Sequence, residues 1–482
     1  MASSRKPAPA SDPSARLTDK VAQSLRGGAA FVVSGGAAGA VAVALSGGRD
    51  SVALLHAARA ALADGALPAR LVALHVHHGL QAQADQWDAF CADLCARWQV
   101  GYFVRRAVVR PLAGEGLEAA ARRARYAALA DMCRDAGAGL LLFAHHLDDQ
   151  VETVLLRLFR GTGVAGMAGM PAARRLAPGS DVLLLRPWLD EGREAIDAYC
   201  AAHALPWVED PTNADPRFAR NALRGRMPDL LAAFPALRAN VAQAAAHFAQ
   251  AGALLDQLAA ERLARLAGPG RDADTLAELD LDGLRALPEG QADAVLRLWL
   301  RELGMHAPST ARLAAMRTQL LDHAGGEPAL HHQDIVLRRF QGRVLACRAR
   351  TLPAQATVTL AWHGEASLAV PAWQGALHFT RDDTFGVPEA VLRQPLALAP
   401  RRGGERIVLR PGGRARALKQ AYQEAGVPAW RRAALPLLWA GDTLVLAAGL
   451  GMHRRWPDAG TGARWRVEWV ERGGDEAWVR PG

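Results

Sequence analysis

The sequence predicts an α/β protein: a doubly wound parallel sheet, followed by a mainly helical domain and a small basic α+β C-terminal domain. Three observations predict it. Short apolar runs alternate with amphipathic helical patterns from residue 41 to residue 186, the rhythm of βαβ units that build a parallel sheet. After Arg226 the strand-like runs stop, and residues 229–320 are rich in Ala and Leu at helical spacing. From residue 401 to 482, 15 Arg plus Lys stand against 8 Asp plus Glu, most of the chain's net charge of +9.

Taken in order, residues 1–15 are small, polar and punctuated by proline, which predicts disorder. The Gly-broken apolar stretch 27–40 has no assignable period, so residues 1–38 are expected to be a disordered or irregular extension. They lack the apolar core and cleavage pattern of a secretory signal. The catalytic-looking domain is expected over residues 39–226, with strands at 41–45, 71–76, 102–109, 140–144 and 181–186. Helices are predicted at 51–63, 83–98, 118–136 and 148–160. The helical domain, 227–350, is interrupted at Gly268-Pro269-Gly270 and Leu287-Pro288 and ends in a hairpin pattern over 334–348. Residues 351–482 form a linker of strand or irregular character and then the basic module, with a helix predicted over 416–425.

Composition narrows the function classes. A chain of 482 residues is too long for one compact domain. With 50% hydrophobic and 22% charged residues it is not mainly disordered. No apolar run is long enough for a transmembrane helix. Five cysteines without a CxxC pair exclude a disulfide framework and a zinc ribbon, and fit a reducing, cytoplasmic setting. The basic excess points to a polyanionic partner. Because Lys6, Lys20 and Lys419 are the only lysines, arginine in place of lysine carries little information here.

The chemistry is concentrated in Ser46-Gly47-Gly48-Arg49-Asp50-Ser51, which joins an apolar run to a helix. Glycines let the backbone turn so that successive N–H groups face one anion, and the helix N-terminus adds positive charge there. Ser46 and Ser51 can donate further hydrogen bonds. Asp50 would repel phosphate without a cation between them, so it is read as a Mg²⁺ ligand. The pattern GxxxxGK[ST] is absent. A loop without that lysine suits pyrophosphate as leaving group, with attack at the α-phosphorus. The nearby Ser34-Gly35-Gly36 lacks the following Asp-Ser and reads as a plain turn.

This loop resembles that of the PP-loop ATP-pyrophosphatase superfamily, whose members adenylate a substrate and release pyrophosphate. Further motifs are His75-Val-His77-His78-Gly79-Leu80, Glu118 to Tyr126, His145-His146-Leu-Asp148-Asp149-Gln150-Val-Glu152, and Arg160-Gly161-Thr162-Gly163. They continue with Glu209-Asp210-Pro-Thr-Asn213-Ala-Asp215 leading to Arg220-Asn221, and in the terminal module with Gly412-Gly413-Arg414 to Lys419. Together they resemble the tRNA(Ile)-lysidine synthetase family over nearly the whole chain from residue 41. His77 departs from the Asn common in that family. The resemblance implies ATP and Mg²⁺ as cofactors, and as substrates free L-lysine and a tRNA(Ile) with a CAU anticodon. It also implies an order: the cytosine C2 oxygen attacks the α-phosphorus, then the lysine ε-amine attacks C2 and expels AMP.

The residues are compatible with that reaction. In a helix beginning near Asp148, Asp149 and Glu152 share a face, with His145 at the end of the preceding strand, where open α/β sheets bind ligands. Such carboxylates can hold Mg²⁺, with Asp149 as second metal candidate, and attract an ammonium. A lysine amine of pKa about 10.4 must also be deprotonated, a task for a carboxylate or His145. Arg125 and Arg220 are the candidates for phosphate or the lysine carboxylate. His75 and His78 read as structural. Arg414, Arg416 and Lys419, on or beside one helix, are the candidates for gripping the tRNA backbone. Two alternatives remain: a PP-loop thiolase, for which Cys91 and Cys95 would have to be reactive rather than buried, and a catalytically inert RNA-binding protein. A homodimer is compatible with the sequence, which sets no oligomeric state.

Overall fold

The computed structural model describes residues 12–33, 39–77, 83–110, 116–177, 179–209, 215, 217, 219–272, 274–306, 308–322, 328–349, 356–382, 384–456 and 462–471. His78-Gly79-Leu80, Ser34-Gly35-Gly36 and the stretch from Asp210 through Asn213 lie outside these residues. The chain divides into two compact units, Met1–Gln257 and Leu258–Gly482.

The first unit runs α1 (Pro13–Gly27), α2 (Ala30–Val33), β1 (Ala40–Ala44), α3 (Arg49–Ala63), β2 (Arg70–His77), α4 (Ala84–Trp98) and β3 (Gly101–Arg106). It continues with α5 (Leu117–Ala136), β4 (Ala138–Leu142), α6 (Leu147–Phe159), α7 (Val164–Met167), β5 (Ala173–Arg175), β6 (Leu183–Leu185), α8 (Arg193–Ala202) and α9 (Ala219–Ala233). The sheet order is β3-β2-β1-β4-β6-β5, with every pair parallel except the β5 edge. Alternation in β1 and β4 divides the core. Val41, Val43, Leu140 and Leu142 pack on one face, and Ala40, Ala42, Ala44 and Leu141 on the other. Both faces are covered, as a parallel sheet requires. The order reverses between β1 and β4, so the crevice beyond their C-terminal ends is the place for a ligand.

One expectation for this unit is overturned. Residues 13–27, read as part of an irregular extension, form α1. Asp12 caps it by accepting from the Ser14 N–H at 3.0 Å, and Pro13 stands in the first turn, where its missing N–H costs nothing. Leu17, Val21 and Leu25, four apart, are fully buried in the core shared with α3 and α8, each contributing roughly 2 kcal/mol relative to exposure. The Trp188 indole donates to the Leu17 carbonyl at 3.1 Å, and Lys20 pairs with Glu191 at 3.0 Å. A proline at the start of this stretch initiates a helix; composition alone had it read as disorder.

The second unit begins with a five-stranded antiparallel sheet packed on the helices Glu289–Glu302 and Thr310–Leu321. The predicted hairpin is present as Ile335–Phe340 against Arg343–Arg348. The reading that strands stop after Arg226 fails here. Ala267–Asp272 and Thr275–Asp280 are strands, the second paired with Arg343–Arg348. That partner is distant in sequence, so the local pattern carried little of the signal. The terminal region holds a second five-stranded sheet and a four-stranded one, with Trp362 and Trp373 buried in their core. The predicted helix over 416–425 is Leu418–Glu424; Arg416 instead pairs with Ile407 in a two-residue ladder.

Candidate active site

Strand β1 runs into the turn that opens α3. Gly47 sits at φ +85, and a Cβ there would lie 3.0 Å from Val208 and 3.2 Å from Cys91, so only glycine fits without displacement. The Val208 N–H donates to the Gly47 carbonyl at 3.0 Å. The two serines brace the turn. Ser51 Oγ donates to the Gly48 carbonyl at 2.8 Å, meets Ser46 Oγ at 3.0 Å and accepts from the Ser46 N–H at 3.2 Å. No side chain caps the N-terminus of α3, which leaves its first-turn N–H groups to an anionic ligand. Arg49 pairs with Asp50 at 3.2 Å and with Asp197.

Strand β4, the neighbour of β1, leads through His145 and His146 into α6. Asp149 is the third residue of α6, and its Oδ2 accepts from the His146 N–H at 3.1 Å. One turn on, Glu152 is only 3% exposed. It accepts from Arg220 Nε at 2.7 Å and from Arg224 Nε at 2.7 Å, while Arg220 Nη2 donates to Asp149 Oδ1 at 3.0 Å. Arg220 and Arg224 are one turn apart on α9 and so reach the same carboxylate. Burial alone would raise the Glu152 carboxyl; the two guanidiniums outweigh it and hold the group below its ordinary range.

His146 joins the two strand ends. Its ring is 1% exposed, with Nε2 3.7 Å from Asp50 and 3.5 Å from Asp149, and Nδ1 3.5 Å from Asp148. Burial opposes a charged imidazole, but the surrounding carboxylates prevail and raise its pKa to about 9. Asp148 is pushed down to about 2, burial being outweighed by His146, the Arg193 N–H and Arg238. Asp50 is also held low, against its burial, by His146, Arg49 and Arg193. An imidazolium among three carboxylates therefore links the glycine turn to the acidic face of α6.

His145 differs from its neighbour. Its Nδ1 accepts from Arg186 Nε at 3.1 Å, and burial together with Arg186 and Arg125 keeps the ring neutral. With Nδ1 accepting, the proton lies on Nε2, so this histidine presents a donor rather than a base. The Arg125 guanidinium lies 5.3 Å from the centre of the Phe143 ring.

The structure thus gathers Asp50, Asp149, Glu152 and Arg220 about His146, with His145 and Arg125 beside them. Arg414, Arg416 and Lys419 are exposed in the second unit, and Arg416 is paired with Glu424. Sequence reasoning did not single out His146, Arg224, Asp148 or Arg193. Arg224 stands four residues after Arg220, a spacing that could have found it. His146 looked interchangeable with His145, and only their different surroundings distinguish them.

All five cysteines are buried and none forms a disulfide. Burial pushes the Cys91, Cys95 and Cys133 thiols up to about 12 and Cys200 to about 11, so none of these four is a thiolate at neutral pH. Among the described residues, no group of three or more His, Cys, Asp or Glu side chains forms a protein metal cage, and no helix is long and apolar enough to cross a membrane.

Comparison with known proteins agrees with this organisation. Residues 20–231 match the PP-loop domain, 279–345 the TilS substrate binding domain and 396–469 the TilS substrate C-terminal domain. The chain is 50% identical to the tRNA(Ile)-lysidine synthase of Ralstonia nicotianae, covering 95% of this chain and 98% of the relative. It is 40% identical to that of Burkholderia pseudomallei (89% and 93% covered) and 39% to that of Pseudomonas aeruginosa (90% and 93% covered). With a glycine turn and an acidic helix face meeting at the switch point of its sheet, and with identity at this level over nearly its full length, the chain belongs to the tRNA(Ile)-lysidine synthase family, enzymes with a PP-loop ATP-binding domain.

Proposed function

We propose that the chain joins free L-lysine to C2 of the wobble cytidine of a tRNA(Ile) with a CAU anticodon, consuming ATP and releasing AMP and pyrophosphate. The observation that carries this reading is the apposition of the Ser46–Ser51 turn and the Asp149–Glu152 face through His146. One side is suited to phosphates, the other to an ammonium, and a ligase of this kind needs both within reach of one base. In this reading the α3 N-terminus and Ser46, Gly47, Gly48, Arg49 and Ser51 hold the nucleotide phosphates. Asp50 fits as the carboxylate toward Mg²⁺, being beside the turn and partly exposed; the ion would offset phosphate charge. Asp149 fits less well, since one oxygen takes the His146 N–H and the other Arg220.

The cytosine C2 oxygen attacks the α-phosphorus and pyrophosphate leaves. The lysine ammonium, drawn by the acidic face of α6, loses a proton, and its ε-amine attacks C2 and expels AMP. Arg125, and Arg220 beside its partners Glu152 and Asp149, are our candidates for holding the lysine carboxylate or a phosphate. The neutral His145, with its proton on Nε2, donates to an oxygen and leaves proton removal to a carboxylate. Arg414 and Lys419 grip the RNA backbone. The buried, protonated thiols disfavour sulfur transfer.

The test is transfer of labelled lysine. Purified protein, ATP and Mg²⁺ are incubated with a CAU-anticodon tRNA(Ile) transcript, with a methionine tRNA transcript as decoy. Label in the first RNA only, at the wobble cytidine, is the expected result. Pyrophosphate release stimulated by tRNA without label would keep the adenylating site and replace the nucleophile.

A further inference from the structure

A second group of arginines lies about Tyr126 and reaches His145 through Arg186, and among the described residues no acid pairs with it. Tyr126 on α5 is flanked by Arg122 and Arg174, each guanidinium 5.1 Å from the ring centre. Arg122 Nη2 also donates to the Tyr126 hydroxyl at 3.3 Å. Arg174 is oriented by the carbonyls of Arg175 and Leu176 at 2.8 and 3.0 Å. Arg186, 3% exposed, is held between the Pro171 carbonyl at 2.7 Å and His145. Among the described residues none of Arg122, Arg125, Arg174 and Arg186 has a carboxylate partner, in contrast to Arg220 and Arg224 on Glu152.

Like charges gathered without a counter-charge repel one another unless an anion completes them. The strain is visible in Arg186, whose pKa falls to about 10, chiefly through burial and with Arg174 and Arg122 contributing. Arg122 is exposed and Arg174 half-buried, so the open end of the group faces solvent. The anion it suits is of a definite kind. A nucleotide triphosphate brings a metal that wants carboxylates, and this group offers none. A phosphodiester carries one charge, needs no metal and is matched by planar guanidiniums.

We propose that Arg122 and Arg174, steadied on the Tyr126 ring, form a binding site for a backbone phosphodiester of the RNA substrate beside His145. This rests on the proposed function in taking the substrate to be an RNA whose wobble base must reach the strand ends. The site would set the position of that strand while reading no base.

The full chain carrying Arg122→Ala and Arg174→Ala is compared with the Arg122→Lys, Arg174→Lys chain and with the wild type. Binding of a CAU anticodon stem-loop is followed by fluorescence anisotropy between 50 and 300 mM salt, and KM is measured for tRNA and for ATP. In the alanine chain the slope of log affinity against log salt shrinks by about 1–2, the release expected for two phosphate contacts. KM for tRNA rises about tenfold while KM for ATP stays within about twofold. The lysine chain keeps the wild-type salt slope. An unchanged slope in the alanine chain overturns the proposal. So does a rise in KM for ATP instead of tRNA, which would give the arginines to the nucleotide phosphates. Loss in the lysine chain equal to that in the alanine chain would make the pair structural and also overturn it. Because binding is read without lysine transfer, a wild type that binds RNA with the expected slope but transfers no lysine would break the proposed function and leave this site standing.

Discussion

Around His146, three carboxylates lie within 3.7 Å of one buried ring, and Glu152 is closed between two guanidiniums. In the terminal module, Arg414, Arg416 and Lys419 are all exposed to solvent, and among the described residues only Arg416 of the three has a carboxylate partner, Glu424. The module holds most of the formal excess of charge, yet its charges are well solvated and individually weak. The strand-end site is nearly balanced, yet each of its charges is partly desolvated and strongly coupled. Net charge therefore says where a polyanion is attracted, and burial says where chemistry is controlled.

The comparison can be broken at several strengths. The largest effect is expected at Asp50. Asp50→Asn should lower lysine transfer by about 10³-fold or more, on the order of 4 kcal/mol of transition-state stabilisation, while the Kd for tRNA changes less than about twofold. Parallel loss of binding and turnover would show that Asp50 shapes the RNA surface instead.

Next is the alkaline limit of the first unit. The His146 pKa is raised in the folded state to about 9 from an ordinary 6.5. Its contribution is thus complete below about pH 6.5 and lost as pH rises through about 9. At about 1.36 kcal/mol per unit this is at most on the order of 3 kcal/mol. Metal-free protein should lose Tm between pH 7 and pH 10, and His146→Gln should flatten that limb; equal slopes in both proteins would mean that the ring is not the coupling element.

Glu152→Gln removes the anion that Arg220 and Arg224 both grip at 2.7 Å and leaves them Asp149, at 3.0 and 3.6 Å. Because those side chains keep 33% and 29% of their exposure, the cost should fall near about 2 kcal/mol, below that of breaking a fully buried pair. Thermal unfolding measures it, and KM for lysine should rise at the same time. A change in KM for ATP alone would move Glu152 to the nucleotide side.

The smallest effects belong to the terminal module. Replacing Arg414 and Lys419 by alanine should raise KM for tRNA a few-fold and reduce the salt slope by about 1–2. Arg416→Ala alone should change either by less than about twofold, since its charge is already engaged by Glu424. A larger effect from Arg416 than from the other two would reverse that ranking.

Much of the fold was legible because its signals are local. The turn from Ser46 to Ser51 is contiguous, and the βαβ rhythm places nearly every element of the sheet to within two or three residues. Helix α1 was misread because Pro, Ser and Ala near a chain start suit disorder as well as a helix N-terminus; the decisive fact, Leu17, Val21 and Leu25 meeting α3 and α8, is tertiary. The strand Thr275–Asp280 was missed for the same reason, its partner Arg343–Arg348 being more than sixty residues away; Ala267–Asp272, which pairs locally with Thr275–Asp280, was hidden by its Gly268-Pro269-Gly270 run.

At the site the division is sharper. Residue types and spacing by themselves determined that a glycine-rich turn ahead of a helix and an acid-bearing helix start exist, because glycine torsions, helix N-termini and helical period act over a few residues. Sequence also showed that the five cysteines include no CxxC pair. Only the tertiary structure decided which histidine is charged. His145 and His146 are adjacent in the chain, but one faces arginines and the other carboxylates, since successive residues leaving a strand point to opposite sides. Tertiary packing likewise decided that Arg220 is committed to Glu152 with Arg224 while Arg122 and Arg174 have no carboxylate partner among the described residues, because the strength of a charge depends on what remains around it once water is removed.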